Sequence, residues 1–123
     1  MTRRTDELEQ VGAVPVLFCA AGGAPIDGDR AAGDLVGAAF SHGAQWIAVP
    51  VGRLPEEFFR LRTRLAGDVV QKFATYRLGL AVLGDISGHL ESGTALRDFV
   101  RESNRGTQLW FLPDEDALRA KLL

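Results

Sequence analysis

Four short apolar runs constrain this chain most: VPVLFCA (14–20), QWIAVPV (45–51), LAVLG (80–84) and QLWFL (108–112), with helical periodicity in the stretches between them. Runs of this length bounded by glycine and polar residues read as strands, and LAVLG, apolar until its closing glycine, reads as a strand covered on both faces. Asp29 can cap a helix running to about His42, with Ala32, Leu35, Val36, Ala39 and Phe40 on one face and Gly43 as its stop. Ser92 can cap another through Asn104, placing Leu96, Phe99, Val100 and Ser103 inward, and Gly106 closes it. Asp114 caps a final helix with Ala117, Leu118 and Leu122 inward. Strands alternating with helices across short connections imply right-handed crossovers and a mainly parallel sheet. The expected fold class is α/β: a single-domain sheet of four or five strands flanked by about four helices, in βαβαβαβα order. Residues 1–12 carry mixed charge and read as a mobile lead-in or an extra edge strand, leaving 13–123 as the domain. Pro15 cannot donate to a ladder, so the first strand is expected to begin just after it or to lie at an edge.

The stretch LPEEFFRLRTRLAGDVVQKFATYR (54–77) reads as one long amphipathic helix, with Pro55 at its first position, Glu56 and Glu57 near the positive end of its dipole and Gly79 as its stop. Stepping ~100° per residue from Phe58 gathers Leu61, Leu65, Ala66, Val69, Phe73 and Tyr76 into a core-facing stripe. Arg60, Arg64, Asp68, Gln71 and Thr75 fall on the wet side. Arg62 lands about 40° from the middle of the apolar stripe, and Lys72 on its edge, where its stem can cover apolar surface. A buried guanidinium needs an anionic or carbonyl partner, so Arg62 is either a clamp fixing the helix to the sheet or an anion-binding residue.

At 123 residues the chain can bury a core without metal or disulfide staples. A formal charge of -2 and a pI near 5.6 give no electrostatic case for nucleic acid or an anionic membrane. Cys19 is the only cysteine; it sits in an apolar run, reads as a small buried hydrophobe and excludes an intrachain disulfide. No apolar run approaches membrane-spanning length and no apolar segment directly follows the charged N-terminus, so a cytoplasmic location is expected. No metal or cofactor is expected, since His42 and His89 lack ligand spacing and neither GxGxxG nor GxxxxGK[ST] is present.

Ligands of open parallel sheets bind outside the carboxyl ends of the strands. That edge collects Gly22, Gly23, Asp27, Asp29, Arg53, Asp85, Ser87, His89 and Asp114. Asp85 directly follows a strand and Arg62 lies in a helix starting at the same edge, so the two are expected to meet as a partly buried ion pair. Asp85, Ser87 and His89 share one loop, which is poor geometry for a catalytic triad and good geometry for loop capping. His42 reads as a solvated residue at a helix C-terminus.

The segments FSHGAQWIAVPVGRL, FFRLRTRLAGDVVQKFATYRLGLAVLGDIS and ALRDFVRESNRGTQLWFL resemble the bacterial family catalogued as domain of unknown function 4180, from about Asp34 onward. Phe58, Arg62, Gly67, Gly84, Asp85, Ser87, Asn104 and Gly106 are among the positions its pattern emphasises. Where that pattern commonly has glycine before the AG pair, this chain has Leu65 preceded by Arg64. The family implies no activity. At the level of fold, the chain is also similar to the domain shared by sulphate transporters and anti-sigma-factor antagonists, in which a serine before glycine at a strand end can be phosphorylated. Asp85, Ile86, Ser87 and Gly88 resemble that motif, which makes Ser87 a candidate phosphoacceptor.

These readings converge on a regulatory or protein-interaction domain, self-associating or binding another protein, with Arg53, Arg62, Asp85, Ser87 and His89 as its recognition surface. The alternative is a small anionic-ligand-binding domain or enzyme using the Arg62 and Asp85 edge.

Overall fold

The apolar runs assemble in the order in which they occur. In the computed structural model, which describes residues 3–91 and 93–123, β1 (Glu7–Val11), β2 (Val14–Phe18), β3 (Trp46–Pro50), β4 (Gly79–Leu83) and β5 (Leu109–Leu112) lie side by side in that order. β1 runs antiparallel to β2, and β2 to β5 are parallel. The hairpin turn is Gly12-Ala13, with φ of 60° at Gly12 alone, the pattern of a type II′ turn whose first central position wants glycine. Pro15 sits inside β2, second from the edge rather than at it. The Cys19 N–H donates to Ala48 O across the β2–β3 ladder, so the odd residues of β2 face β3. That ladder begins only at the Val16 and Trp46 pair, so the N–H that Pro15 lacks has no strand partner to serve.

Consecutive strand order with right-handed crossovers places every crossover helix on the same side of the sheet. Accordingly α1 (Asp29–His42), α2 (Leu65–Thr75) and α4 (Thr94–Arg105) pack on Leu17, Ile47, Val49, Leu80, Val82 and Phe111, and the short α3 (Ser87–Leu90) links β4 to α4. α5 (Glu115–Leu122) crosses to the opposite face, where Leu118 meets Val16, Phe18, Trp46 and Trp110. There the Trp46 and Trp110 rings stack at 3.9 Å, reaching over the small residues of β4 between them. A Cβ at Gly79 would collide with the Trp46 ring, so glycine is required by this close approach.

The stretch 54–77 is not one helix. Preceded by a 3₁₀ turn at Val51–Arg53, it forms two more at Glu56–Phe59 and Leu61–Thr63 before α2 begins at Leu65. Three local causes act together. Phe58 and its neighbour Phe59 are both buried, 1% and 4% exposed, and tight turns let the pair enter the core edge-to-face. The Thr63 hydroxyl donates toward Glu57 O and Arg60 O and accepts from Leu65 N, competing with continuation of the helix. Arg64 then adopts φ of 65°, which no α-helix accommodates. The helical phase that placed Arg62 on the apolar stripe therefore does not reach it, and Arg62 is exposed. Tyr76 and Phe40, expected inward, are also exposed and pack edge-to-face on each other at 5.7 Å.

The helix boundaries shift in small ways. Gly28 is the N-cap of α1; Asp29 is its first residue, and its carboxylate accepts from Lys72 Nζ at 2.9 Å, tying α1 to α2. Gly43 closes α1 in the left-handed conformation. Asp114 caps α5 through Ala117 N. The expected cap at Ser92 lies outside the described residues. On α4, Asn104 points at the free side of β5, accepting from Phe111 N at 2.7 Å and donating to Phe111 O at 3.2 Å.

Candidate functional site

The carboxyl end of the parallel strands is where the expected site residues gather, but they do different jobs. After β3 the chain turns back at Arg53, whose Nε and Nη2 donate to Ala24 O at 3.1 and 3.0 Å and whose Nη1 donates to Ala20 O at 3.2 Å. Its own carbonyl accepts from Ile26 N. Gly23 lies so close that a Cβ there would sit 2.5 Å from Arg53 Cζ. Arg53 is thus the clamp that shapes the β2–α1 loop.

After β4, Gly84 takes φ of 137° against Val51, and Asp85 Oδ1 accepts from Ser87 N at 2.9 Å. The Ser87 N–H, and then its hydroxyl, hold the Asp85 carboxyl below the usual carboxylate range. Asp85 does not pair with Arg62: both side chains are exposed, and the Asp85 carboxylate turns into its own loop. The sequence put the two at one edge; the break before α2 points Arg62 elsewhere. Ser87 is exposed at the start of α3, and His89 stacks on Phe59 at 3.9 Å with the rings 9° from parallel. Arg97 Nε donates to Leu90 O at 2.9 Å and fixes α4 to α3.

Between these two connections lies a crevice of about 600 Å³, lined by Phe59, Arg60, Leu61, Arg62, Gly93, Ala95 and Leu96. One wall is the irregular segment after β3 and the other is the first turn of α4, whose N-cap is Gly93 with φ of 151°. Arg60 is held by Glu56 at 3.1 Å, whereas Arg62 has no ion pair with any described residue. Periodicity missed Phe59, Arg60, Leu61 and the start of α4 as crevice residues, because it treated 54–77 as regular helix. The tandem Phe58-Phe59 followed by Thr63 was the available signal of irregularity.

Other candidates lie outside the crevice. Cys19 is buried and its thiol is pushed up to about 12 by burial, an inert position. His42 is exposed with Nδ1 2.8 Å from Ala38 O. Among the described residues no group of three or more His, Cys, Asp or Glu side chains is placed to hold a metal ion, and no helix is long and apolar enough to cross a membrane. No curated protein and no solved structure matches the chain, so neither comparison supports the fold-level likeness to the sulphate transporter and anti-sigma-factor antagonist domain. One family model spans nearly all of it, from residue 11 to 122. This α/β chain, with its three-helix face and arginine-lined crevice, belongs to the family described as domain of unknown function (DUF4180).

Proposed function

We propose that the chain is a binding domain for a small anionic ligand, a carboxylate or phosphate held in the crevice between the post-β3 turns and the start of α4. The observation that carries this reading is Arg62, a guanidinium facing the crevice with no ion pair to a described residue. A planar guanidinium suits carboxylate and phosphate oxygens. The opposite wall adds the N–H groups of a helix start whose N-cap, Gly93, makes no side-chain cap bond, a position favourable for negative charge. The crevice opens outside the ends of β3 and β4, as ligand sites of parallel sheets do, and its volume is that of a small-molecule pocket. What the lining offers is recognition chemistry.

Thermal unfolding in graded inorganic phosphate and simple mono- and dicarboxylates tests this. A ligand at about a hundred times its dissociation constant should stabilise the wild type by ~2.7 kcal/mol. Arg62→Met should abolish that gain while shifting the unliganded midpoint by no more than ~0.5 kcal/mol, since the side chain is exposed. Absence of any ligand-dependent shift, or an equal shift in Arg62→Met, refutes the reading.

A second reading, a regulatory protein-interaction domain, is favoured by the exposed Phe40 and Tyr76 pair, because aromatic side chains are enriched at protein interfaces. Ser87 would supply its switch, since a phosphate there would meet the Asp85 carboxylate and open their turn. On this reading a stoichiometric partner captured from the host is lost in Phe40→Ser and in Ser87→Glu; capture that survives both variants argues against it.

A further inference from the structure

The sheet ends in two free edges, and the chain treats them differently. In β5, Trp110 and Leu112 face β4, leaving Phe111 N–H and C=O on the outer side, and both are taken by the Asn104 amide. At Phe111 that edge is capped by a side chain standing in for a further strand, while Leu109 also faces outward.

Among the described residues, no side chain guards β1 in this way. The odd residues of β2 face β3, so its even residues face β1, and Val11 with Val14, Glu9 with Val16 and Glu7 with Phe18 are the hydrogen-bonded pairs. The N–H and C=O groups of Leu8 and Gln10 therefore point outward. Neither residue is proline or lysine, the usual edge protectors. The strand's acids are tied down within the chain: Glu9 is held by Arg119 at 2.6 and 2.8 Å and Glu7 by Arg3 at 3.2 Å, on the α5 side. Leu8 is 44% exposed on the other face, and Leu123, 81% exposed, lies beside Gly12 at the hairpin end.

We infer that β1 is a self-association edge, through which a second copy of this chain pairs its own β1 antiparallel and joins the two sheets into one. An antiparallel strand is its own complement about a two-fold axis, so Leu8 and Gln10 of each copy supply the donors and acceptors that the other lacks. The apolar contribution comes from Leu8 on one face and Leu123 near the strand's end. This pairing uses the outer edge of β1, which is separate from the Arg62 crevice formed by the segments that follow β3 and β4.

Sedimentation equilibrium of the full chain across a wide concentration range, with hydrogen exchange on the same samples, tests it. The wild type should run at twice 13.3 kDa as concentration rises, and the Leu8 and Gln10 amides should gain protection in step. Gln10→Pro removes an outward backbone donor, along with the exposed Gln10 amide contact to Gly12 O, and should weaken association about tenfold or more, as should Leu8→Lys. A wild type that stays monomeric, or a dimer in which Leu8 and Gln10 amides gain no protection, overturns the inference. So does a dimer unaffected by Gln10→Pro but lost in Phe40→Ser, which would place the interface on α1 and α2. The exchange readout decides the matter even if one variant folds poorly.

Discussion

Replacing Asn104 with leucine should cost this small domain a large share of its stability. The asparagine amide satisfies both outward groups of Phe111, a residue only 6% exposed. Leucine nearly conserves the volume and offers neither donor nor acceptor. Each orphaned, buried backbone group costs ~1–3 kcal/mol, so the two together cost about 2–6 kcal/mol; partial access of water at a sheet edge argues for about 3. For a chain of this length that corresponds to roughly 10–15 °C in melting temperature. Urea unfolding followed by tryptophan fluorescence reads this directly, because Trp110 is next to Phe111 and stacked on Trp46. Asn104→Asp provides the internal control. It keeps an acceptor for Phe111 N–H but sets a carboxylate against Phe111 O, so the folded state should raise that carboxyl's pKa above its unfolded value. Its penalty relative to wild type is then greatest at neutral pH and shrinks as pH falls through the raised value, where the protonated group can donate. A loss below about 1 kcal/mol for Asn104→Leu would refute the view that this side chain closes the β5 edge.

Three further outcomes follow from the geometry. Gly79→Ala drives a Cβ into the Trp46 ring and should cost about 1–3 kcal/mol and diminish the near-ultraviolet signal of the Trp46 and Trp110 stack; an unchanged spectrum and midpoint would contradict the packing. Arg64→Gly relieves a left-handed arginine, worth ~1–2 kcal/mol, against ~0.5–1 kcal/mol of added unfolded-chain freedom, so a net gain of about 0.5–1 kcal/mol is expected in urea melts and a loss would mean the arginine does something else. Hydrogen bonds from Arg119 to Glu9 and from Arg3 to Glu115 hold both carboxyls below their ordinary values. Because the folded pKa values are lowered, these groups contribute stability above the unfolded value of ~4.3 and lose it as pH falls through the folded ones, so Glu9→Gln should flatten the acid limb of a stability profile and leave the neutral slope alone.

The sequence alone determined the parallel α/β fold, because that depends on signals carried by single segments. Short apolar runs bounded by glycine, the inward stripe of α1 from Ala32 to Ala39, the Gly43 stop and the Asp114 cap are each set by neighbours a few residues away, and each formed where its pattern placed it. The segment 54–77 shows where that logic ends. Its apolar spacing fits a helix, yet burying Phe58 and Phe59 together, the Thr63 hydroxyl bonds and the left-handed Arg64 outweigh local periodicity. That break turned Arg62 from a supposed core partner of Asp85 into a wall of the crevice beside α4. Asn104 and Trp46 were legible as residues but not as roles: one closes a strand edge and the other requires a glycine at position 79, in the neighbouring strand. Such roles arise only when distant segments meet, since a hydrogen bond or a steric exclusion between strands has no signature in the periodicity of either one alone.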